Sequence, residues 1–153
     1  MTYIIYTDGS DLKHTSHRMG IGGVLLEDED SEELDSFSEE LSHDYLRFAY
    51  GTSDCSNPTA EMIAAKYALE KWKSKFSNGD NVIMYADYEG VQKWNQGKWQ
   101  AKKPYIRKIR DEIKELIRKA GIYVDWRWVK GHQTGSSIQK YWNDKVDKLA
   151  KGL

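Results

Sequence analysis

Four acidic side chains stand where they could do chemistry together. Asp8 follows the apolar run Tyr3-Ile4-Ile5-Tyr6, and Asp87 follows a second, Val82-Ile83-Met84-Tyr85-Ala86. Glu61 falls in the first turn of a helical repeat, and Asp147 lies beside the apolar stripe of the last one. In open α/β sheets ligands bind beyond the carboxyl ends of neighbouring strands, so adjacency of these two strands would set Asp8 and Asp87 side by side. Carboxylates gathered without basic partners repel and raise each other's pKa. Divalent cations remove that penalty, and an all-oxygen set without a Cys or His cluster favours Mg2+ or Mn2+ over zinc. Two such ions can hold the attacking and the leaving oxygen of an in-line phosphoryl displacement. The plainer reading, in which each acid caps its own helix or turn, suits any one of them and fits four converging acids poorly.

The elements that must position these acids can be read along the chain. Thr2 to Thr7 is β-branched and aromatic and predicts a buried strand that stops at a turn, Asp8-Gly9-Ser10. Gly20 to Leu26 predicts a second strand, with glycines where backbones approach closely. Residues 27–40 hold nine acids and no base, which reads as an exposed hairpin and edge with Leu34, Phe37 and Leu41 as its anchors. Residues 42–58 read as an irregular connection stopped by Pro58. Met62, Ala65, Leu69 and Trp72 recur at helical spacing, predicting a helix over roughly 59–75. A strand over Asn81–Ala86 and a short helix around 88–96 follow. Pro104 opens a longer helix lined by Ile106, Ile109 and Ile113, closing at Gly121. Ile122 to Val129 predicts the last strand, and a glycine-bearing loop over 131–137 leads to a helix with Trp142, Val146 and Leu149 inward. Strands first and βαβ units later imply an α/β fold, a five-stranded mixed sheet with helices on both faces, forming a single domain over 1–153.

A chain of 153 residues with 39% apolar and 12% aromatic side chains has enough to build a core. No apolar run is long enough to span a membrane, and Asp8 arrives too early for a signal peptide. One cysteine, Cys55, excludes an internal disulfide and a cysteine-ligated zinc site. A soluble, cytoplasmic monomer is expected. The net charge of −1 hides a division: residues 1–60 carry 3 basic and 13 acidic side chains, residues 61–153 carry 20 and 11. Such asymmetry suggests that one surface meets a polyanion. Residues 93–119 hold ten bases and three acids, interleaved with Trp94, Trp99 and Tyr105. That composition suits phosphate tracking with aromatic platforms, and Lys98, Lys102 and Lys103 are its first candidates.

Tyr6-Thr7-Asp8-Gly9-Ser10 resembles the first-strand motif of the type 1 ribonuclease H family. Thr59-Ala60-Glu61-Met62-Ile63-Ala64-Ala65 resembles its first-helix motif, and Tyr85-Ala86-Asp87 its fourth-strand motif. Trp128-Val129-Lys130-Gly131-His132, followed by Asn143-Asp144-Lys145-Val146-Asp147-Lys148-Leu149-Ala150, resembles its C-terminal signature. The resemblance implies a ribonuclease H-like fold and two-metal cleavage of the RNA strand of RNA–DNA hybrids, leaving 5′-phosphate and 3′-hydroxyl ends. It implies Asp8, Glu61, Asp87 and Asp147 as ligands of two Mg2+ ions, with Mn2+ as the other candidate. Asp147 is preferred to Asp144 because Lys148-Leu149-Ala150 follows it as in the family. His132 would shuttle protons or assist product release, a task its ordinary pKa near 6.5 suits. Gly9, Ser10 and Asn57 resemble the family's contacts to ribose 2′-hydroxyls, which distinguish RNA from DNA, and Thr59 its contact to a DNA phosphate.

The chain departs from the family in several places. Between Asp87 and Pro104 it is too short for the extra basic helix of many bacterial members, which predicts weaker binding through fewer lysines. Tyr88 and Glu89 stand where smaller or amide residues are usual. Segments 27–40 and 42–57 are long, as is the stretch from His132 to Asp147. The competing readings are a non-catalytic nucleic-acid-binding module and a related nuclease or transposase-type enzyme on the same fold. Four retained carboxylates oppose the first, because without metal they would repel phosphates.

Overall fold

The protein is described by a computed structural model that covers residues 1–12, 18–28, 30–130 and 137–153. Five strands form one sheet: β1 Thr2–Asp11, β2 Arg18–Leu26, β3 Asp35–Ser42, β4 Asn81–Ala86 and β5 Tyr123–Trp128. Their spatial order is β3-β2-β1-β4-β5. The three N-terminal strands run antiparallel in sequence order, while β4 pairs parallel with both β1 and β5. Helices among the described residues are α1 His43–Tyr50, α2 Asn57–Trp72, α3 Glu89–Asn95, α4 Pro104–Ala120 and α5 Ile138–Ala150, with a 3-10 turn at Lys73–Lys75. The mixed sheet expected from the chain order is therefore present.

Alternation along the strands divides the core in two. Tyr3 and Ile5 join the larger cluster, with Met62, Trp72 and the isoleucines of α4. Ile4 and Tyr6 turn to the other cluster, against Trp142 and Val146 of α5. One face of the sheet thus carries α2 and α4 and the other carries α5, as a period of two requires. Helix α4 starts at Pro104 and ends at Gly121, whose φ of 65° gives the left-handed cap. Its mean period is set by Ile106, Ile109 and Ile113, all buried.

Two features differ from expectation. The Asp8-Gly9-Ser10 segment is strand rather than turn, pairing with Gly22, Ile21 and Gly20 of β2. Residues 43–50 are helical rather than irregular, with Ser42 accepting from the backbone N–H of Tyr45 at 3.4 Å and Gly51 closing the helix at φ 65°. Pro58 sits in the first turn of α2, where its missing N–H costs nothing. No helix of the described residues is long and apolar enough to cross a membrane.

Candidate active site

Strand register sets the first two acids. Tyr6 pairs with Tyr85, and Asp8 and Asp87 each lie two residues beyond that pair at the same end of parallel strands. The third acid depends on glycine. A Cβ on Gly9 would stand 2.2 Å from the carbonyl carbon of Ala60, so only glycine lets α2 settle this close to β1. That approach carries Glu61, the next residue of α2, to Asp8. Carboxylate oxygens of Asp8, Glu61 and Asp87 lie within 4.8 Å of one another, with Asp8 and Glu61 buried and Asp87 half-buried.

Glycines act in the same way across the sheet. Cβ atoms on Gly20 and Gly22 would meet the α5 backbone, at 1.7 Å from the Ala150 carbonyl oxygen and 2.8 Å from that of Val146. Helix α5 is thereby drawn onto β2, and Asp147 reaches the rim of the cleft that Asp8, Glu61 and Asp87 line. Asp147 stands outside the tight triad and pairs with Lys151 Nζ at 3.1 Å. Asp144 is turned away, bound to Lys140 Nζ at 2.7 Å. The Tyr6 and Tyr85 rings stack beneath the site at 4.6 Å, with Arg127 Nη1 donating to the Tyr85 hydroxyl at 3.2 Å.

The electrostatics are those of an acid cluster awaiting countercharge. Burial pushes the Asp8 carboxyl up to about 7; Glu61 donates some relief as a hydrogen-bond partner, whereas the charges of Asp87 and Asp147 add to the rise. Glu61 is raised well above the ordinary carboxyl range, first by burial and then by Asp8 and Asp87. Its Oε2 is buried without a hydrogen-bond partner. An orphaned buried acceptor, flanked by two more carboxylates and open to a cleft of about 420 Å³, fits a hard divalent cation with oxygen ligands. The basic residue that faces this cleft, Lys151, is already engaged by Asp147.

The other expected residues divide by position. Gly9, Ser10 and Asn57 line the acid cleft. Asn57 Oδ1 accepts from the Asp11 N–H at 2.7 Å and so ties the end of β1 to α2. Thr59, Trp94, Lys102 and Lys103 line a neighbouring cleft instead. Trp94 is half-buried against the core, with its ring 5.7 Å from Tyr88 and 6.0 Å from the exposed Trp99. Lys98 and Trp99 each donate a backbone N–H to the Lys93 carbonyl, at 2.9 and 3.1 Å, folding the 96–103 segment back on α3. His132 lies outside the described residues, as do His14 and His17.

Three residues with a part in this site were given no role there by the sequence reading. Trp128 Nε1 donates to the Asp87 carbonyl at 3.1 Å and holds the exit of β4. Tyr88 lines both clefts, and Lys151 neutralises Asp147. A basic residue one turn after Asp147 was a visible i,i+4 pair, but nothing in the spacing told which face it shared.

The chain is similar to known proteins over nearly its whole length. The family model described as RNase H matches residues 1–152. The ribonuclease H of Phenylobacterium zucineum (strain HLK1) is 28% identical over 159 residues, covering 98% of this chain and 89% of that one. That of Maricaulis maris (strain MCS10) is 33% identical over 112 residues, covering 66% and 68%. Among solved structures, LC11-RNase H1 in complex with an RNA/DNA hybrid superposes with a TM-score of 0.74 at 21% identity, covering 98% of this chain and 94% of that one. RNase H1 of Halobacterium salinarum NRC-1 gives a TM-score of 0.72 at 17% identity, covering both chains fully, at 100% each.

Proposed function

We propose, from the premise that this chain belongs to the RNase H family, that it hydrolyses the RNA strand of RNA–DNA hybrids and leaves 5′-phosphate and 3′-hydroxyl ends. The observation that carries the reading is the cluster of Asp8, Glu61 and Asp87, whose carboxylate oxygens come within 4.8 Å of one another at the end of β1 and β4. Nothing in a merely structural role would favour that cluster, because each acid raises the cost of ionising the next.

In this reading Asp8, Glu61, Asp87 and Asp147 would hold two Mg2+ ions, Mn2+ being the alternative ion. When bound, the ions supply positive charge that offsets the carboxylates and the charge developing on the attacking and leaving oxygens. The chain's own part is to orient and select. Gly9 and Ser10 offer backbone groups to the RNA strand. Asn57, with Oδ1 held by Asp11, keeps its Nδ2 donors for a ribose 2′-hydroxyl. Thr59, Lys102 and Lys103 take phosphates of the DNA strand, with Lys98 at the edge of the same surface and Trp94 and Trp99 as its apolar wall. His132 moves protons between leaving group and solvent. The enzyme acts as a cytoplasmic monomer on a hybrid duplex.

The test is cleavage of labelled RNA–DNA hybrid, double-stranded RNA and single-stranded RNA, with Mg2+ and with EDTA. The expected result is a cut RNA strand in the hybrid alone, abolished by EDTA. An intact hybrid at micromolar protein with Mg2+ sinks the assignment.

A further inference from the structure

Beside the acid cleft lies a second one of about 250 Å³, walled by Thr59, Tyr88, Trp94, Lys102 and Lys103. Tyr88 lines both, so the two clefts adjoin at that ring. A polyanion leaving the carboxylates past Tyr88 meets Lys103, but Lys103 arrives already paired. Its Nζ is 3.6 Å from Asp54 Oδ2. The same carboxylate accepts from the Tyr105 hydroxyl and, at 2.9 Å, from the Ser56 N–H. The Ser56 and Thr59 hydroxyls lie 3.3 Å apart beside it and add hydrogen bonds. An ammonium, a phenol, two hydroxyls and the N-cap backbone N–H of a 16-residue helix form a donor set suited to a phosphate oxygen. A carboxylate from the chain itself fills it.

We infer that Asp54 is an internal stand-in for a nucleic-acid phosphate: it keeps Lys103 and Tyr105 engaged, and so limits how tightly the chain grips its substrate strand. The inference rests on the nucleic-acid-cleaving function proposed above. Burial alone would raise the Asp54 carboxyl, but the hydrogen bonds from Tyr105, Ser56 and Thr59 outweigh it and hold the group at about 2. The anion is therefore present at every working pH. A lysine cancelled by its neighbour releases no counterion when a phosphate arrives, so its contribution to salt-dependent binding is lost. A substrate phosphate must displace Asp54 to recover it.

The test uses the full chain and its D54N and D54S variants, with binding of a fluorescent RNA–DNA hybrid followed in EDTA over a range of salt. D54N removes the charge and keeps an acceptor for the Ser56 N–H; D54S keeps a short capping oxygen should the amide pack badly. Either variant, with a native melting curve, is expected to bind about three- to fivefold tighter at low salt. Its plot of log K against log salt should steepen by about 0.9, the mark of one more phosphate contact. Both gains should vanish in a Lys103→Ala background, a coupling that mere structural damage would not produce. Unchanged or weaker binding by a folded variant, or a gain that survives Lys103→Ala, overturns the inference. Cleavage of the same hybrid by the unaltered chain with Mg2+ reports on the underlying function. A chain that cleaves, yet whose Asp54 variants bind no tighter, refutes this inference alone.

Discussion

Replacing Asp8 with Asn in metal-free protein is expected to stabilise the fold above neutral pH and to leave it unchanged near pH 4. The Asp8 carboxyl titrates near 3.8 when the chain is unfolded and at about 7 in the native state, first because it is buried and then because Asp87 and Asp147 repel it. Between these values the unfolded chain has lost a proton that the native state keeps. The unfolded state is therefore favoured progressively as pH rises from about 4 to about 7, and no further change is expected above that. A rise of roughly three pH units at 1.36 kcal/mol each sets a ceiling of about 4 kcal/mol. Glu61 shares the proton and stays buried after the substitution, so about 2 kcal/mol is the realistic gain. For a chain of this length that corresponds to about 4–8 °C in Tm. Thermal unfolding in EDTA, followed by circular dichroism from pH 4 to pH 9, measures it directly. Added Mg2+ should then close the gap, since it stabilises the wild type more than the variant. A Tm difference that is flat with pH, or a variant less stable at pH 8, refutes the electrostatic account.

Two further outcomes follow from the same geometry. Gly9→Ala puts a methyl group into the Ala60 backbone at 2.2 Å, so α2 must shift; stability should fall by about 1–3 kcal/mol and hybrid cleavage should be lost with it. A variant with wild-type Tm and rate would show that α2 does not depend on that contact to place Glu61. Trp128→Phe keeps an aromatic side chain and removes the indole N–H that holds the Asp87 carbonyl, a hydrogen bond worth about 1 kcal/mol. The expected result is a three- to fivefold lower kcat, on the order of that energy, with Tm nearly unchanged; an unaltered kcat would remove Trp128 from the positioning of Asp87.

Much of this architecture was legible because its signals are local. Asp87 could be placed at a strand end because Val82 to Ala86 is short, apolar and bounded by turn residues. Helix α4 could be bounded because Pro104 and Gly121 punctuate an isoleucine repeat. Helix α1 was missed for the converse reason: with Leu46 and Tyr50 as its buried residues, eight positions carry too little periodicity to stand out. The Ser42 and Gly51 caps were its readable trace. Asp8-Gly9-Ser10 was misread as a turn because glycine marks both turns and close approach. Here it marks the second, and the residue that needs the space is Ala60 of another element.

What the sequence by itself determined was the inventory: which residues can bond a hard cation, where strands and helices begin, and that one half of the chain is basic. Those are properties of neighbours along the backbone, and short-range sterics and hydrophobic period suffice to express them. The tertiary structure alone decided that Asp147 reaches only the rim of the cleft, that Lys151 neutralises it, and that Asp54 occupies the donors around Lys103. Each of those is a meeting of charges across elements. Its energy depends on separations of a few ångströms and on burial, which the packing of α2 and α5 onto glycine-bearing strands sets and no local spacing encodes.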